Sequence, residues 1–145
     1  MDLKIFTQNP SETKKIGQIL ARDILRTQKA VVICLSGNLG GGKTTFIKGL
    51  ARGLGIKKKI LSPTFVIMRK FKVHNKKFNF FYHFDCYRIK SPGELLNLGF
   101  KEIISDPKNI IVIEWADKIE EILPRNRITL NFRIIDHNKR EIMVQ

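Results

Sequence analysis

Continuous apolar runs along the chain predict buried strands. Ala30 to Leu35 and Ile110 to Ile113 contain no polar residue, which is typical of parallel strands covered on both faces. Leu3 to Phe6 is shorter, and we expect a short edge strand there. These runs predict a central sheet whose main strands are parallel.

Helical spacing of apolar residues appears between the strands. The segment from Ser11, the expected N-cap, to about Arg26 has apolar residues three and four positions apart. A second helix is expected from Thr45 to Leu54. The sequence Ser91 to Glu94 resembles a capping box with proline at the first helical position, so a third helix should begin there. Asp117 to Leu123 is expected to form a short helix before a proline.

Two pairs of β-rich segments predict antiparallel hairpins. Phe65 to Val73 and Phe78 to Phe84 flank one polar turn, and Arg127 to Ile135 and Arg140 to Val144 flank another. The chain has no repeat, low-complexity tract or linker, so residues 1–145 are expected to form a single domain. The predicted class is α/β, with a largely parallel central sheet flanked by helices and supplemented by antiparallel hairpins.

A glycine-rich loop follows the first apolar strand and matches the phosphate-loop pattern G-x-x-x-x-G-K-[ST]. Its residues are Gly37, Asn38, Leu39, Gly40, Gly41, Gly42, Lys43 and Thr44. Glycines allow successive backbone N–H groups to surround an anion, and the N-terminus of the next helix adds positive potential. Lys43 would contact the β- and γ-phosphates, and the Thr44 hydroxyl would ligate Mg²⁺. The pattern predicts a P-loop fold with a nucleoside triphosphate site.

Two acidic residues at strand ends could complete a Mg²⁺ site. Asp85 follows the apolar segment that ends at Phe84, and Glu114 follows Ile113. A carboxylate at the end of a buried strand is costly unless it serves a cation. From the residues alone, either acid could be the metal ligand.

Other polar residues carry weaker predictions. The only near match to the guanine-specific N-K-x-D pattern, Asn75 to Phe78, lacks the acid, so a Ras-like GTPase is disfavoured. Cys34 lies inside an apolar strand and is interpreted as a packing residue. His83 is interpreted as a structural hydrogen-bonding residue, although it lies two positions before Asp85.

Composition excludes several classes of protein. Of 145 residues, 43% are hydrophobic, but no apolar run approaches the ~20 residues that span a bilayer. Met1 to Pro10 lacks a secretory signal pattern, and two cysteines are too few for a disulfide scaffold. We therefore expect a cytoplasmic protein with no membrane association.

The net charge of +14 is concentrated in the first half of the chain. Met1 to Lys72 has 15 basic and 3 acidic residues, whereas Val73 to Gln145 has 12 and 10. Such a charge favours polyanions or an acidic partner, although general enrichment of surface lysine explains it as well. Two basic runs, Lys57 to Lys59 and Arg69 to Lys72, flank the segment Ser62 to Phe65 in sequence and are expected to place positive charge beside it.

Several short motifs together resemble the TsaE (YjeE) family, the small ATPases required for threonylcarbamoyladenosine formation in bacterial tRNA. The matching segments are Gly37 to Phe46, Ser62 to Phe65, His83 to Arg88, Glu94-Leu95, Leu98-Gly99 and Glu114 to Asp117. The resemblance extends from Ser11 to about Val144. Gly41, Cys86 and Ala116 depart from the residues usual in the family, and none of these departures removes a charged group.

The resemblance implies roles for individual residues. Lys43 would bind phosphates, Thr44 and Glu114 would hold Mg²⁺, and Asp85 would lie near the γ-phosphate or its attacking water. Thr64 could sense the γ-phosphate. The remaining nucleotide-binding residues implied by the resemblance are Thr45, Trp115, Asn9, Asp117 and Lys139. The last three would frame the adenine and ribose, and Trp115 would stack near the nucleotide or simply fill the core.

The resemblance also implies partners and activity. ATP and Mg²⁺ would be the cofactors, and hydrolysis would be slow without partner proteins. TsaB and TsaD would be direct partners, TsaC would act upstream, and tRNA would be reached through the complex. A P-loop small-molecule kinase and a basic nucleic-acid-binding module are the alternatives. A phosphate-binding arginine lid and an RNA-recognition pattern, which would favour these alternatives, are not evident in the sequence.

Overall fold

The computed structural model describes residues 2–27, 31–38, 40, 42–60 and 66–145. Within them, seven strands form one mixed sheet in the order β1-β7-β6-β2-β5-β4-β3. The strands are β1 (Leu3–Thr7), β2 (Val31–Gly37), β3 (Met68–Lys72), β4 (Phe80–Asp85), β5 (Asn109–Glu114), β6 (Ile128–Ile134) and β7 (Arg140–Val144). The central strands β6, β2, β5 and β4 are parallel, and the outer pairs are antiparallel. The predicted α/β class, the edge strand and both hairpins are confirmed.

Helices cover both faces of this sheet. They are α1 (Pro10–Arg26), α2 (Lys43–Gly53), α3 (Gly93–Leu96), α4 (Phe100–Ser105) and a 3₁₀ helix (Ala116–Ile122). On one face, α1 and α2 pack over a core that includes Ile33, Phe46 and Val112. On the other face, residues such as Phe84 and Phe100 form a second core. Their rings meet edge to face at 5.2 Å.

The start of α1 differs from the sequence prediction. Asn9, rather than Ser11, is the N-cap, and its side-chain oxygen accepts the Glu12 N–H at 2.9 Å. The Glu12 carboxylate accepts the N–H of Gln8, the residue before the N-cap, at 2.7 Å, so one donor of the helix end and one just before it are satisfied. Pro10 occupies the first turn, where its missing N–H costs nothing.

The third predicted helix is divided in two. Glu94 accepts the backbone N–H groups of Lys90 and Ser91 as a capping box requires, but the N-cap is Pro92 and α3 is only one turn long. Gly99, at a φ of +83°, separates α3 from α4, which the sequence analysis did not predict. The segment expected as a helix from Asp117 is instead a 3₁₀ helix that begins at Ala116.

Close contact between α1 and α2 fixes the position of the glycine-rich loop. A Cβ built on Gly49 would lie 1.9 Å from the Lys14 carbonyl oxygen, and one on Gly17 would lie 2.3 Å from that of Phe46. The two helices therefore approach to a separation that only glycine permits. Since α2 starts directly after the loop, this contact holds the loop at the carboxyl edge of the sheet.

None of the helices in the described ranges is both long enough and apolar enough to cross a bilayer.

Candidate functional site

The glycine-rich loop leaves the carboxyl end of β2 through glycines in left-handed conformations. Gly37, Gly40 and Gly42 have φ values of +125°, +78° and +100°. Two features exclude a side chain at Gly37. Its φ is positive, and a Cβ there would lie 2.3 Å from the Phe132 carbonyl oxygen. Successive turns of this kind are suited to an anion-binding nest. Leu39 and Gly41 lie outside the described residues.

Lys43 is the first residue of α2 and is only 5% exposed. Its Nζ donates a hydrogen bond to the Gly37 carbonyl oxygen and lies 4.0 Å from the centre of the Trp115 ring. Burial lowers the pKa of this amine, and the nearby carboxylates of Glu114 and Asp85 oppose the change. The ammonium group is thus folded back over the loop and next to two acids.

Glu114 and Asp85 lie side by side at the carboxyl ends of neighbouring parallel strands. Asp85 is paired in register with Glu114, and Glu114 with Leu35 of β2. Neighbouring strands are about 4.8 Å apart, so both acids lie at the strand end from which the loop departs. Burial raises the pKa of Asp85, whereas a hydrogen bond from the Tyr87 N–H at 3.0 Å opposes that rise.

His83 fixes the carboxylate of Glu114. The His83 side chain is fully buried, and its Nε2 lies 2.8 Å from Glu114 Oε2. An ionised carboxylate only accepts hydrogen bonds, so this geometry assigns the proton to Nε2. The structural role inferred for His83 is in agreement with this contact, and its partner is the strand-end acid. Among the described residues, His83 Nδ1 has no hydrogen-bond partner.

Trp115 and Asp117 both lie near Lys43. Trp115 has a left-handed φ of 58°, and its N–H donates to the Leu35 carbonyl oxygen at 3.2 Å. Its ring lies against Lys43 on one side and Tyr87 on another, with ring centres 5.1 Å apart in the second pair. Asp117 is exposed in the 3₁₀ helix and is close enough to favour the charged form of Lys43.

The two remaining peripheral candidates, Asn9 and Lys139, lie on elements that meet at the loop. A Cβ on Gly42 would lie 3.5 Å from Thr13 Cγ2 and 3.6 Å from Arg140 Cγ, so the start of α1 and the β6–β7 hairpin both approach it. Asn9 is exposed, and its side-chain oxygen is used in capping α1. Lys139 is exposed in the hairpin turn.

Arg140 is a loop-contacting residue that the sequence analysis missed. Its guanidinium donates to the Gly40 carbonyl oxygen at 2.9 Å and to three carbonyl oxygens of the hairpin turn. It thereby ties the hairpin to the glycine-rich loop, a hundred residues away in sequence. The only sequence feature that pointed to Arg140 was its position next to Lys139.

Thr44 and Thr45 lie in the first turn of α2 and are half-buried. The Thr44 hydroxyl and the Glu114 carboxylate are oxygen ligands of the kind Mg²⁺ prefers, and a site with few protein ligands leaves positions for phosphate and water. The residues present therefore fit Mg²⁺. Thr64 and the whole segment Ser62 to Phe65 lie outside the described residues.

The two cysteines have no part in this arrangement. Cys34 and Cys86 are both buried and unbridged. Burial raises the pKa of their thiols to about 11 and about 12. The thiols are neutral at physiological pH, which agrees with the packing role inferred for Cys34.

Comparison with known proteins identifies the family. The model of "Threonylcarbamoyl adenosine biosynthesis protein TsaE" matches residues 7–142. Proteins named tRNA threonylcarbamoyladenosine biosynthesis protein TsaE are 39% identical in Bacillus subtilis (97% of this chain, 83% of the relative) and 32% identical in Treponema pallidum (98% and 99%). The crystal structure of Bacillus subtilis YdiB has a TM-score of 0.78 at 35% identity, covering 99% of this chain and 84% of that one. The chain belongs to the TsaE family of threonylcarbamoyladenosine biosynthesis proteins.

Proposed function

We propose that this chain is a Mg²⁺-dependent ATPase that serves threonylcarbamoyladenosine modification of tRNA. The observation that carries the proposal is the meeting of Lys43, Asp85 and Glu114 at one strand edge, directly beside a loop with three left-handed glycines. A cation, two carboxylates and an anion nest are the groups that phosphoryl transfer requires.

Each residue of the candidate site has its own role in the proposed reaction. The glycine-rich loop and the N-terminus of α2 bind the phosphates, and the Lys43 amine exchanges its bond to Gly37 for the β- and γ-phosphate oxygens. Thr44 and Glu114 would hold Mg²⁺, which would neutralise part of the phosphate charge. His83 keeps the Glu114 carboxylate in one orientation through the 2.8 Å hydrogen bond. Asp85 orients the attacking water.

The base and ribose occupy the border of the loop. This region is framed by Asn9 at the start of α1, Lys139 in the hairpin turn and Asp117 after β5. Trp115 stacks near the nucleotide, and Thr45 lies in the first turn of α2. Thr64 senses the γ-phosphate from the segment that follows Lys59.

The ATPase works within a larger assembly. TsaB and TsaD are the direct partners, TsaC supplies the activated intermediate upstream, and tRNA joins through the complex. Hydrolysis by the isolated chain is slow. Family membership supports this placement, because the family is described by its part in threonylcarbamoyl adenosine biosynthesis.

The test is ATP turnover by the purified chain with and without a purified TsaB–TsaD pair. We expect stimulation by the pair, and none for Lys43→Ala measured in parallel. Absence of stimulation, together with phosphate transfer from ATP to a small-molecule acceptor, would instead establish a kinase.

A further inference from the structure

The positive charge of the chain comes almost entirely from one continuous segment. Residues 24–84 contain 13 lysines and arginines and no aspartate or glutamate, while the remainder has 14 basic and 13 acidic residues. An even distribution of the 13 acidic residues would place about five of them in that segment. General enrichment of surface lysine would not remove acids from one segment only.

The fold gathers much of this segment at the edge of the sheet opposite the glycine-rich loop. Helix α2 begins at the loop, and its 11 residues carry the chain about 16 Å away from it. Helix α1 runs beside α2 in the same direction, and Lys77 Nζ donates to the Arg26 carbonyl oxygen at 3.2 Å where α1 ends. Lys72 is level with Phe80 at the amino end of β4.

We call this exposed surface the basic pole. It consists of Arg26, Arg52, Lys57, Lys58, Lys59, Lys72, Lys76 and Lys77. All eight side chains are exposed, and none forms an ion pair with another described residue. Asp23 and Asp106, the acids near this edge, are also exposed and do not pair with the pole. The pole is therefore a positive surface without internal neutralisation.

The composition of the pole favours a nucleic acid over an acidic protein as its partner. Protein interfaces are depleted in lysine and contain a core of apolar or aromatic anchors. In the described residues, none of the exposed large hydrophobic side chains lies within 20–27, 52–60 or 72–79, the segments that carry the pole. A phosphate backbone, in contrast, is bound by long basic side chains and needs no apolar anchor.

We propose that the basic pole binds the phosphate backbone of RNA directly, a contact additional to those by which the proposed assembly reaches tRNA. Because the pole lies about 16 Å from the glycine-rich loop, RNA bound there leaves the nucleotide site open. The proposal does not depend on ATP hydrolysis, since it rests on a different surface. Binding of this kind positions the RNA without reading its sequence.

The test measures binding of a fluorescein-labelled, unmodified tRNA transcript to the full chain by anisotropy between about 50 and 200 mM salt. The pole variant replaces Lys57, Lys58 and Lys59 with Gln. The control variant makes the same change at Lys4, Lys90 and Lys101, which are exposed and lie outside the pole. Both variants lose three charges, and neither touches the glycine-rich loop.

We expect the pole variant to bind the transcript about tenfold more weakly at low salt, with a shallower dependence on salt because fewer counterions are released. The control should lose less than threefold, and nucleotide affinity should stay at the wild-type value in both. Equal losses in pole and control variants would overturn the proposal, as would wild-type dissociation constants above about 10⁻⁴ M at low salt. Competition by polyglutamate as effective as that by unlabelled tRNA would overturn it in favour of an acidic protein partner.

Discussion

Lys43 is the residue on which nucleotide binding should depend most directly. In Lys43→Ala the glycine conformations remain, but the charge near the β- and γ-phosphates is lost. We expect ATP affinity to fall by about tenfold to a hundredfold, the value of a charged hydrogen bond, with little change in the melting temperature. Calorimetric titration measures this, with Lys48→Ala as the control because Lys48 is exposed on the same helix. Equal affinity in folded Lys43→Ala and wild type would rule out the site.

Variants of Thr44 and Glu114 should lose the effect of Mg²⁺ while they keep nucleotide binding. Thr44→Ala removes a hydroxyl ligand, and Glu114→Gln removes charge but keeps an oxygen that can accept the hydrogen bond from His83. We expect ATP affinity without Mg²⁺ to stay within about threefold of wild type and the gain on adding Mg²⁺ to disappear. The roles of the two acids are reversed if Asp85→Asn loses the Mg²⁺ effect and Glu114→Gln retains it.

Replacing Asp85 should raise the stability of the chain and lower its ATP turnover. Burial raises the pKa of its carboxyl above the ordinary 3.8, so the folded state holds the proton more tightly than the unfolded state. The cost of the buried charge is therefore present at neutral pH and disappears as the pH falls below the raised pKa towards 3.8. Asp85→Asn keeps an oxygen for the Tyr87 N–H and removes the charge.

We expect Asp85→Asn to raise the free energy of unfolding at pH 7 by less than about 1 kcal/mol, because the group is partly exposed. The gain should shrink towards pH 4, and ATP turnover should fall. Urea denaturation at several pH values measures the stability. A variant less stable than wild type at pH 7 would show that ionised Asp85 is stabilising.

At the scale of secondary structure, local patterns predicted which helices and strands exist better than the residues at which they begin and end. The apolar runs identified β2 and β5 because full burial imposes an uninterrupted sequence of hydrophobic residues. The N-cap of α1 was misplaced by two residues because Asn9, Pro10 and Ser11 all suit a helix start. Helix α4 was missed, since Gly99 begins a new helix at a point where glycine more commonly ends one.

The candidate site was predictable where its residues form contiguous motifs. Lys43, Asp85 and Glu114 each follow a recognisable strand, and parallel strands bring their carboxyl ends together. The link from Arg140 to Gly40 depends on the register of the closing hairpin, which no local pattern specifies. The contact between His83 and Glu114 likewise follows from the pairing of β4 with β5.

The contact between α1 and α2 gives a prediction at the same scale. Gly49→Ala should stabilise an isolated helix by about 1 kcal/mol. In the folded chain, however, the new methyl would meet the Lys14 carbonyl oxygen. We expect a net loss of about 2 kcal/mol in the free energy of unfolding because the helices must separate.

Gly93→Ala in α3 is the matched control, because the nearest atom to its Cβ is a serine side-chain oxygen at 3.6 Å. Chemical denaturation compares the two variants, and we expect the stability of Gly93→Ala to match or exceed that of the wild type. A stabilised Gly49→Ala variant would contradict the close approach of α1 and α2. Because α2 carries Lys43 and Thr44, the Gly49→Ala variant should bind ATP more weakly as well as being less stable.

At the scale of the whole molecule, the basic pole and the glycine-rich loop lie at opposite edges of the sheet. The sequence suggested positive charge next to Ser62 to Phe65, since Lys57, Lys58 and Lys59 precede that segment. The structure places these lysines beyond the far end of α2, in the basic pole. Residues 61–65 lie outside the described ranges, so the expected closeness of the lysines to Ser62 to Phe65 stays a prediction.

The basic pole should reduce the stability of the chain, since like charges gathered on one surface repel. Replacing Lys57, Lys58 and Lys59 with Gln should raise the free energy of unfolding at low salt by about 0.5 kcal/mol, the size of a like-charge pair on a helix surface. The same change at Lys4, Lys90 and Lys101 should have a smaller effect, because those residues lie outside the pole. The helix dipole does not reverse this expectation, since its effect falls off within the last turn of α2 and the three lysines lie beyond it.

Added salt should raise the stability of the wild type and remove the difference between the pole variant and wild type, because screening weakens repulsion between exposed charges. Thermal denaturation at about 20 and 500 mM salt measures both effects. If the pole variant is no more stable than the control variant at low salt, the lysines are far enough apart to be independently solvated. Greater stability together with weaker RNA binding in the same variant would mean that the pole is kept for its partner and not for the fold.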